Sequence, residues 1–437
     1  MKDRNIKWLQ DELPKWIAKD IVSKETAHRI QDYYGEAEGG SALRLALVIF
    51  GTLGAVLIGS GIILVFARNW DSFSITLRTV LSLLPLLLGQ LLTGWLVYKG
   101  EESRAWREGA AAFLFLAVGA TISLIGQTYH IPSDRPQFVL VWLLLSLPSV
   151  YLLEAAVPAI FYIVGAVVWT GLTRGTVGYT FFYWLLLALI SPFIYPKIKN
   201  NSASNTSLFI VWTLALSLCI ALGIILDHPF PGLWIIIYSF YFTLLLLSGR
   251  LYSQSEKFSW QNPLLVIGTL GSLILSIIFS YQGVWDGIGW QHYQQALRNP
   301  VNTVQNYILL GLLALGTSWL FLKILKRRDM LELAFSALPV LAISGYLIAS
   351  YKGTGIADLI FNAYLLILGV LIVLRGLKLH SLSLTNGGML TLALLIILRF
   401  FDSELGFTAK GVAFILVGSG FLLANAIMVR RQKGGIR

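Results

Sequence analysis

Residues 110–131 read Ala-Ala-Ala-Phe-Leu-Phe-Leu-Ala-Val-Gly-Ala-Thr-Ile-Ser-Leu-Ile-Gly-Gln-Thr-Tyr-His-Ile. The run from Ala110 to Ile125 carries no charge. It ends in a polar stretch, Gly126 to Ile131, and then a turn, Pro132-Ser133-Asp134-Arg135-Pro136. A second apolar run starts at Phe138. This is the pattern of a helix that crosses a membrane and returns, since a hydrocarbon core of about 30 Å takes roughly 20 apolar residues.

The same unit recurs along the chain. Apolar runs of 17–24 residues follow one another from residue 45 to residue 428, and we place about fourteen spans. They are 45–67, 75–98, 109–129, 138–154, 156–173, 177–196, 206–226, 232–250, 262–282, 303–326, 330–351, 356–375, 381–401 and 405–428. Composition agrees. The 437 residues are 56% hydrophobic and 13% charged, with a mean hydropathy of +0.73. Soluble domains carry about 25% charge. A transmembrane β-barrel needs alternating segments of about 10 residues, which are absent. The expected fold is an all-α polytopic transmembrane bundle.

Charge sets the orientation. With the N-terminus inside, 25 of the 33 Lys and Arg residues fall on the inner side and 8 on the outer side. The bias alternates loop by loop, as the positive-inside rule requires. It predicts N-in and C-in with an even number of spans. The net charge of +11 does not indicate nucleic acid, because the basic residues are dispersed between apolar runs. Cys219 is the single cysteine, so there is no intrachain disulfide and no cysteine-based zinc site.

Residues 1–42 read as a cytosolic two-helix module. Ile6, Leu9, Leu13, Trp16 and Ile17 form a helical stripe, and Ser23 is an N-cap for a second helix carrying Ala27, Ile30 and Tyr34. Two short helices bury little core alone. The module therefore offers a surface for docking on the membrane domain, for self-association or for a protein partner. We divide the rest into halves, 43–200 and 201–437. Trp70, Trp142, Trp169, Trp234 and Trp260 sit near span ends, where interfacial rings belong. Trp290, Tyr293 and Leu297 predict a short interfacial helix in the outer loop 283–302.

Two stretches carry a family resemblance. Gly54-Ala-Val-Leu-Ile-Gly59-Ser-Gly61, continuing through Ala67-Arg-Asn69-Trp70-Asp71, is similar to the first-span signature of the membrane family called domain of unknown function 2157. Gly126-Gln127-Thr-Tyr129-His130-Ile131, followed by Trp142 and Pro148, resembles its second signature. Leu13-Pro14-Lys-Trp16, Ile21-Val-Ser23 and Ala27-His-Arg-Ile30 resemble its cytosolic preamble, and Arg399-Phe-Phe-Asp402 a closing motif. The resemblance is specific over residues 5–150 and weak afterwards. Arg68 stands where relatives often have a small residue. The resemblance implies a polytopic protein of a bacterial-type plasma (inner) membrane and no particular activity.

Chemistry is sparse in the spans. No carboxylate lies near a midplane, which disfavours a proton relay through a central Asp or Glu. Gly119, Ser123, Gln127 and His130 fall on one helical face, which is expected to point into protein or water. The outer face collects polar groups. Asn69, Asp71, Gln127, Tyr129 and His130 form the expected outer binding rim, and interhelical hydrogen bonding would use the same residue types. A metal site from His130, His228 and His292 lacks ligand spacing, so neither metal nor cofactor is expected. Asp358 with Asn362, and Arg399 with Asp402, share helical faces.

Three function classes fit. A transporter or flippase-like permease fits best, from span number and the in-span prolines Pro85, Pro148, Pro158, Pro192 and Pro339. A membrane scaffold, sensor or accessory subunit follows. The third is a membrane enzyme resembling the C-type glycosyltransferases, with Asp71 in the first outer loop as the catalytic acid; capping or a salt bridge to Arg68 or Arg78 is the competing role for Asp71.

Overall fold

Long uncharged runs force helix formation, because helices satisfy every backbone hydrogen bond within one segment. The computed structural model describes residues 9, 12–34, 70–132, 134–174, 181–200, 204–226, 232–252, 259–286, 288, 300–326, 329–352 and 356–402, and scattered positions beyond. Among these residues there are helices and turns and no strand. The chain divides into two compact units, Met1–Val80 and Leu81–Arg437. The domain boundary expected at residue 42 and the span expected at 45–67 lie outside the described residues, as do the helix expected around Trp290 and most of 405–428.

In the N-terminal unit, α1 covers residues 12–18 and α2 covers Lys24–Tyr34. Ser23 is the N-cap of α2: its Oγ accepts the Thr26 N–H at 3.2 Å. Leu13 and Ala27, one from each expected apolar stripe, are buried.

The remaining helices are α3 Ile75–Lys99, α4 Arg104–Thr128, α5 Arg135–Leu152, α6 Ala156–Leu172, α7 Phe182–Asn200, α8 Asn205–Ile225, α9 Leu233–Tyr252, α10 Pro263–Phe279, α11 Pro300–Leu325, α12 Met330–Ser336, α13 Leu338–Lys352, α14 Ala357–Lys378 and α15 Leu382–Asp402. By length and composition, α3, α4, α5, α8, α9, α11, α14 and the α12–α13 pair are able to cross a membrane. α6, α10 and α15 are shorter apolar helices. Each expected span from 75–98 to 381–401 coincides with one of these, except that 330–351 is broken. The break falls at Ala337. Pro339 follows it and lacks the N–H that would reach back one turn. Tyr364 Oη, from α14, donates to the Ala334 carbonyl at 3.0 Å beside the break.

Two cores form. One packs α4 to α8 around Leu143, Tyr162, Ala166, Tyr183 and Ile210. The other packs α9 to α14 around Leu246, Phe279, Trp285 and Phe361. A third cluster, with Leu222, Ile237 and Tyr241, joins them across α8 and α9. Close approach depends on glycine. A Cβ on Gly268 would stand 2.3 Å from the Leu246 backbone nitrogen, so α10 meets α9 backbone to backbone.

Polar tips of aromatic residues tie the helices together by donating to carbonyls of their neighbours. Trp142 Nε1 donates to Phe115 O at 2.7 Å, Tyr238 Oη to Cys219 O at 2.7 Å and Trp285 Nε1 to Phe279 O at 2.8 Å. Most of the tryptophans expected near span ends also pack against neighbouring helices. Trp70 and Trp169 are buried, Trp142 and Trp234 pack into cores, and Trp260 is the exposed one. A ring with one apolar body and one N–H is as well served by a neighbouring carbonyl as by a headgroup.

Candidate functional site

The stretch Gly126–Ile131 closes α4. Ile131 N–H donates to Gly126 O at 2.9 Å and His130 N–H to Gln127 O at 3.4 Å, with His130 at φ +52°. These are the two bonds of a Schellman cap, with histidine in the left-handed position that glycine usually takes. Glu154, His380 and Asp20 close three other helices in the same way, with Ala155 N–H on Val150 O, Ser381 N–H on Gly376 O and Ile21 N–H on Trp16 O. The polar face expected from Gly119 to His130 divides. Gly119 is buried with Trp142 against it, while Ser123, Gln127, Tyr129 and His130 are exposed.

Asp71 lies in the N-terminal unit, in a 3₁₀ turn, Trp70–Ser72. Its carboxylate is 3.7 Å from Arg78 Nη1, and its carbonyl accepts Arg78 Nη2 at 2.6 Å. This is the competing role foreseen for Asp71. Asn69, His228 and His292 lie outside the described residues. Asn362 Nδ2 donates to Asp358 O at 2.8 Å and to Ser280 O at 3.2 Å, so that pair ties α14 to the end of α10.

The richest concentration of chemistry lies at the other end of α4. There α3 and α5 and α7 end and α4, α6 and α8 begin, around a cavity of about 680 Å³. Sequence periodicity builds its first wall: Arg104, Arg107 and Glu108 stand at i, i+3 and i+4 on α4. Arg107 Nε donates to Leu153 O at 2.8 Å, at the C-terminus of α5. Glu108 accepts Ala156 N–H at 3.0 Å and Val157 N–H at 2.8 Å, at the N-terminus of α6. Ala155, the N-cap residue of α6, has no side chain able to do this. Adjacent residues of opposite sign thus complement opposite helix ends: the cation meets free carbonyls and the anion meets free amides.

Further ties follow. Lys197 Nζ, in the last turn of α7, donates to Glu154 O at 3.0 Å, and Ser207 Oγ donates to Lys197 O at 3.0 Å. Burial pushes the Lys197 ammonium below the usual lysine range, against the pull of the Glu154 and Glu108 carboxylates. Arg104 Nε is 3.9 Å from Glu108, beyond hydrogen-bond length. The Glu154 carboxylate is 70% exposed and 4.0 Å from Arg107. Tyr151, Phe193, Pro192 and Pro196 supply the apolar side. The pocket therefore pairs charge with an apolar wall, an arrangement suited to amphipathic ligands. Sequence reasoning missed it. The available signal was the crowding of charge at 99–108, 154 and 197–199, all at span ends assigned to the same side.

The fold and this arrangement define a multi-helix integral membrane protein. Residues 14–159 match the family model described as "Predicted membrane protein (DUF2157)", from within α1 through the start of α6. That is the family expected from the Gly-Gln-Thr-Tyr-His-Ile stretch. No curated protein and no solved structure matches the chain.

Proposed function

We propose that the protein is a flippase-like permease that handles amphipathic molecules, with the pocket at the start of α4 as its inner-face opening. The observation that carries this reading is the pocket itself: charged groups and an apolar wall meet at helix ends, where headgroups lie. Two of its bordering helices contain prolines, Pro148 in α5 and Pro192 and Pro196 in α7. Each removes a helix hydrogen bond and eases bending. In this reading the exposed Gln127, Tyr129 and His130 form the outer rim. The termini are inside, the host is a bacterial-type plasma membrane, and residues 1–42 dock a partner or a second copy.

The test is reconstitution in liposomes with a tail-labelled fluorescent phospholipid and an impermeant quencher. Movement between leaflets, lost when a bulky group is attached at a cysteine substituted for Asn200, supports the reading. Equal quenching with and without protein overturns it and favours the accessory or scaffold role. That second reading has its own support in the tightly filled aromatic cluster of Phe279, Trp285 and Phe361 in the other half of the bundle. The enzymatic reading through Asp71 is weaker, because the only charged group near its exposed carboxylate among the described residues is Arg78, at 3.7 Å.

A further inference from the structure

The pocket's charges sort into those that hold the fold and those that face a ligand. Glu108 has both oxygens on amides of α6. Arg107 uses one N–H on Leu153 O, and Lys197 one on Glu154 O. Their other donors remain for a ligand, as does the Arg104 guanidinium, which makes no hydrogen bond among the described residues and approaches Glu108 only to 3.9 Å. Glu102, on the wall, has no hydrogen bond or ion pair among the described residues, and the Glu154 carboxylate only the 4.0 Å approach to Arg107. Three cations with spare donors thus face two carboxylates with spare acceptors. A purely anionic ligand would leave those carboxylates against its charge, and a purely cationic one would meet the three cations. A ligand with both signs answers all five.

We propose that this pocket binds a headgroup carrying a phosphate and a primary amine, the phosphate on Arg104, Arg107 and Lys197 and the ammonium on Glu102 and Glu154. A planar guanidinium offers a phosphate two parallel N–H donors, and an ammonium offers a point charge, so the cation set suits tetrahedral oxyanions. The apolar wall of Tyr151, Phe193 and the two prolines adjoins the charges, as the glycerol and upper acyl region adjoin a headgroup. Basic pockets between helices at the inner interface are a recurring setting for phosphate headgroups. Two sources share this chemistry, a membrane lipid and soluble phosphoethanolamine. The inference rests on the pocket being the working face.

The test is native mass spectrometry of the full-length chain in detergent with phosphatidylethanolamine, phosphatidylglycerol or diacylglycerol added in turn, and with phosphoethanolamine as competitor. The expected result is retention of phosphatidylethanolamine over phosphatidylglycerol by about tenfold, and no retention of diacylglycerol. Arg104→Gln and Lys197→Gln should each lower lipid retention about tenfold. Glu102→Gln with Glu154→Gln should abolish the preference for the amine, leaving phosphatidylglycerol bound as well. Thermal unfolding of each variant separates lost binding from lost folding, and Arg104, which anchors no helix end, carries the test if Lys197→Gln unfolds. Phosphoethanolamine binding without lipid binding assigns the site to the soluble source. Retention of the three lipids alike, or variants that bind as the parent does, overturns the proposal. Binding without movement between leaflets leaves this site standing and removes the flippase reading; movement without headgroup preference does the reverse.

Discussion

Glu108 of α4 receives the backbone N–H of Ala156, the first residue of α6, at 3.0 Å. It also receives that of Val157 at 2.8 Å. A carboxylate from a distant helix thus does the work of an N-cap. Glu108→Ala leaves two amides of a half-exposed helix end without their carboxylate, and is expected to destabilise the protein by about 1 kcal/mol. Glu108→Gln keeps one acceptor and should cost about half as much. Thermal unfolding in a fixed detergent checks the order; an Ala variant as stable as the parent would show that water serves those amides equally well.

His130 has the opposite expectation. Its φ of +52° places a Cβ in the left-handed region, which costs a non-glycine residue roughly 1 kcal/mol or more. His130→Gly should therefore fold as well as the parent or slightly better, while His130→Val, β-branched, should be clearly less stable. If His130→Gly keeps stability and loses lipid movement, the side chain has a functional role at the rim. If it keeps both, the histidine is a helix terminator only.

Glycine positions differ sharply from one another. At Gly268 an added methyl meets the Leu246 backbone at 2.3 Å, and backbone cannot move aside as a side chain does. Gly268→Ala should cost about 3 kcal/mol. Gly311 on α11 has nothing within 4 Å of a built Cβ, so Gly311→Ala should be neutral or stabilising by up to about 1 kcal/mol through helix propensity. The pair is measured side by side in one unfolding series, and similar losses at both sites would mean that α9 and α10 do not approach as described.

Asp329 has two roles at the start of α12. Its Oδ1 accepts Leu331 N–H at 3.1 Å, and its Oδ2 lies 2.6 Å from Arg375 Nη2 on α14. Asp329→Asn keeps the cap and weakens the ion pair; Asp329→Ala removes both. With Arg375 36% exposed, screening limits the pair to about 1 kcal/mol, and the cap adds about 1 kcal/mol. A double-mutant cycle with Arg375→Gln isolates the first term, and a coupling near zero would assign the whole loss to the cap.

What the sequence discloses follows from where each signal resides. Span positions are written in contiguous residues, so the helices from α3 to α15 fall where the apolar runs do. Ser23 is legible because an N-cap acts over three residues. The role of Trp142 is not, because the carbonyl it reaches belongs to Phe115 on another helix. The face from Gly119 to His130 misleads for a physical reason: Gly119 faces Trp142 because it is small, whereas Gln127 and His130 are polar, and periodicity alone does not separate the two. The pocket is less legible still. Its charges come from three stretches, 102–108, 154 and 197, each reading alone as ordinary interfacial Lys, Arg and Glu.

The clamp formed by Arg107 and Glu108 also bears on how the chain is made. Both residues precede the turn they serve, Arg107 by 46 positions and Glu108 by 48 to the first amide. In synthesis from N- to C-terminus, α4 is already in the bilayer when α5 and α6 emerge. The hairpin's exposed carbonyl and amides, costly in a membrane interface, thus arrive beside charges waiting for them. A construction order is written into the two residues: swap their positions and each helix end would meet a charge of its own sign while the rest of the bundle was still unmade.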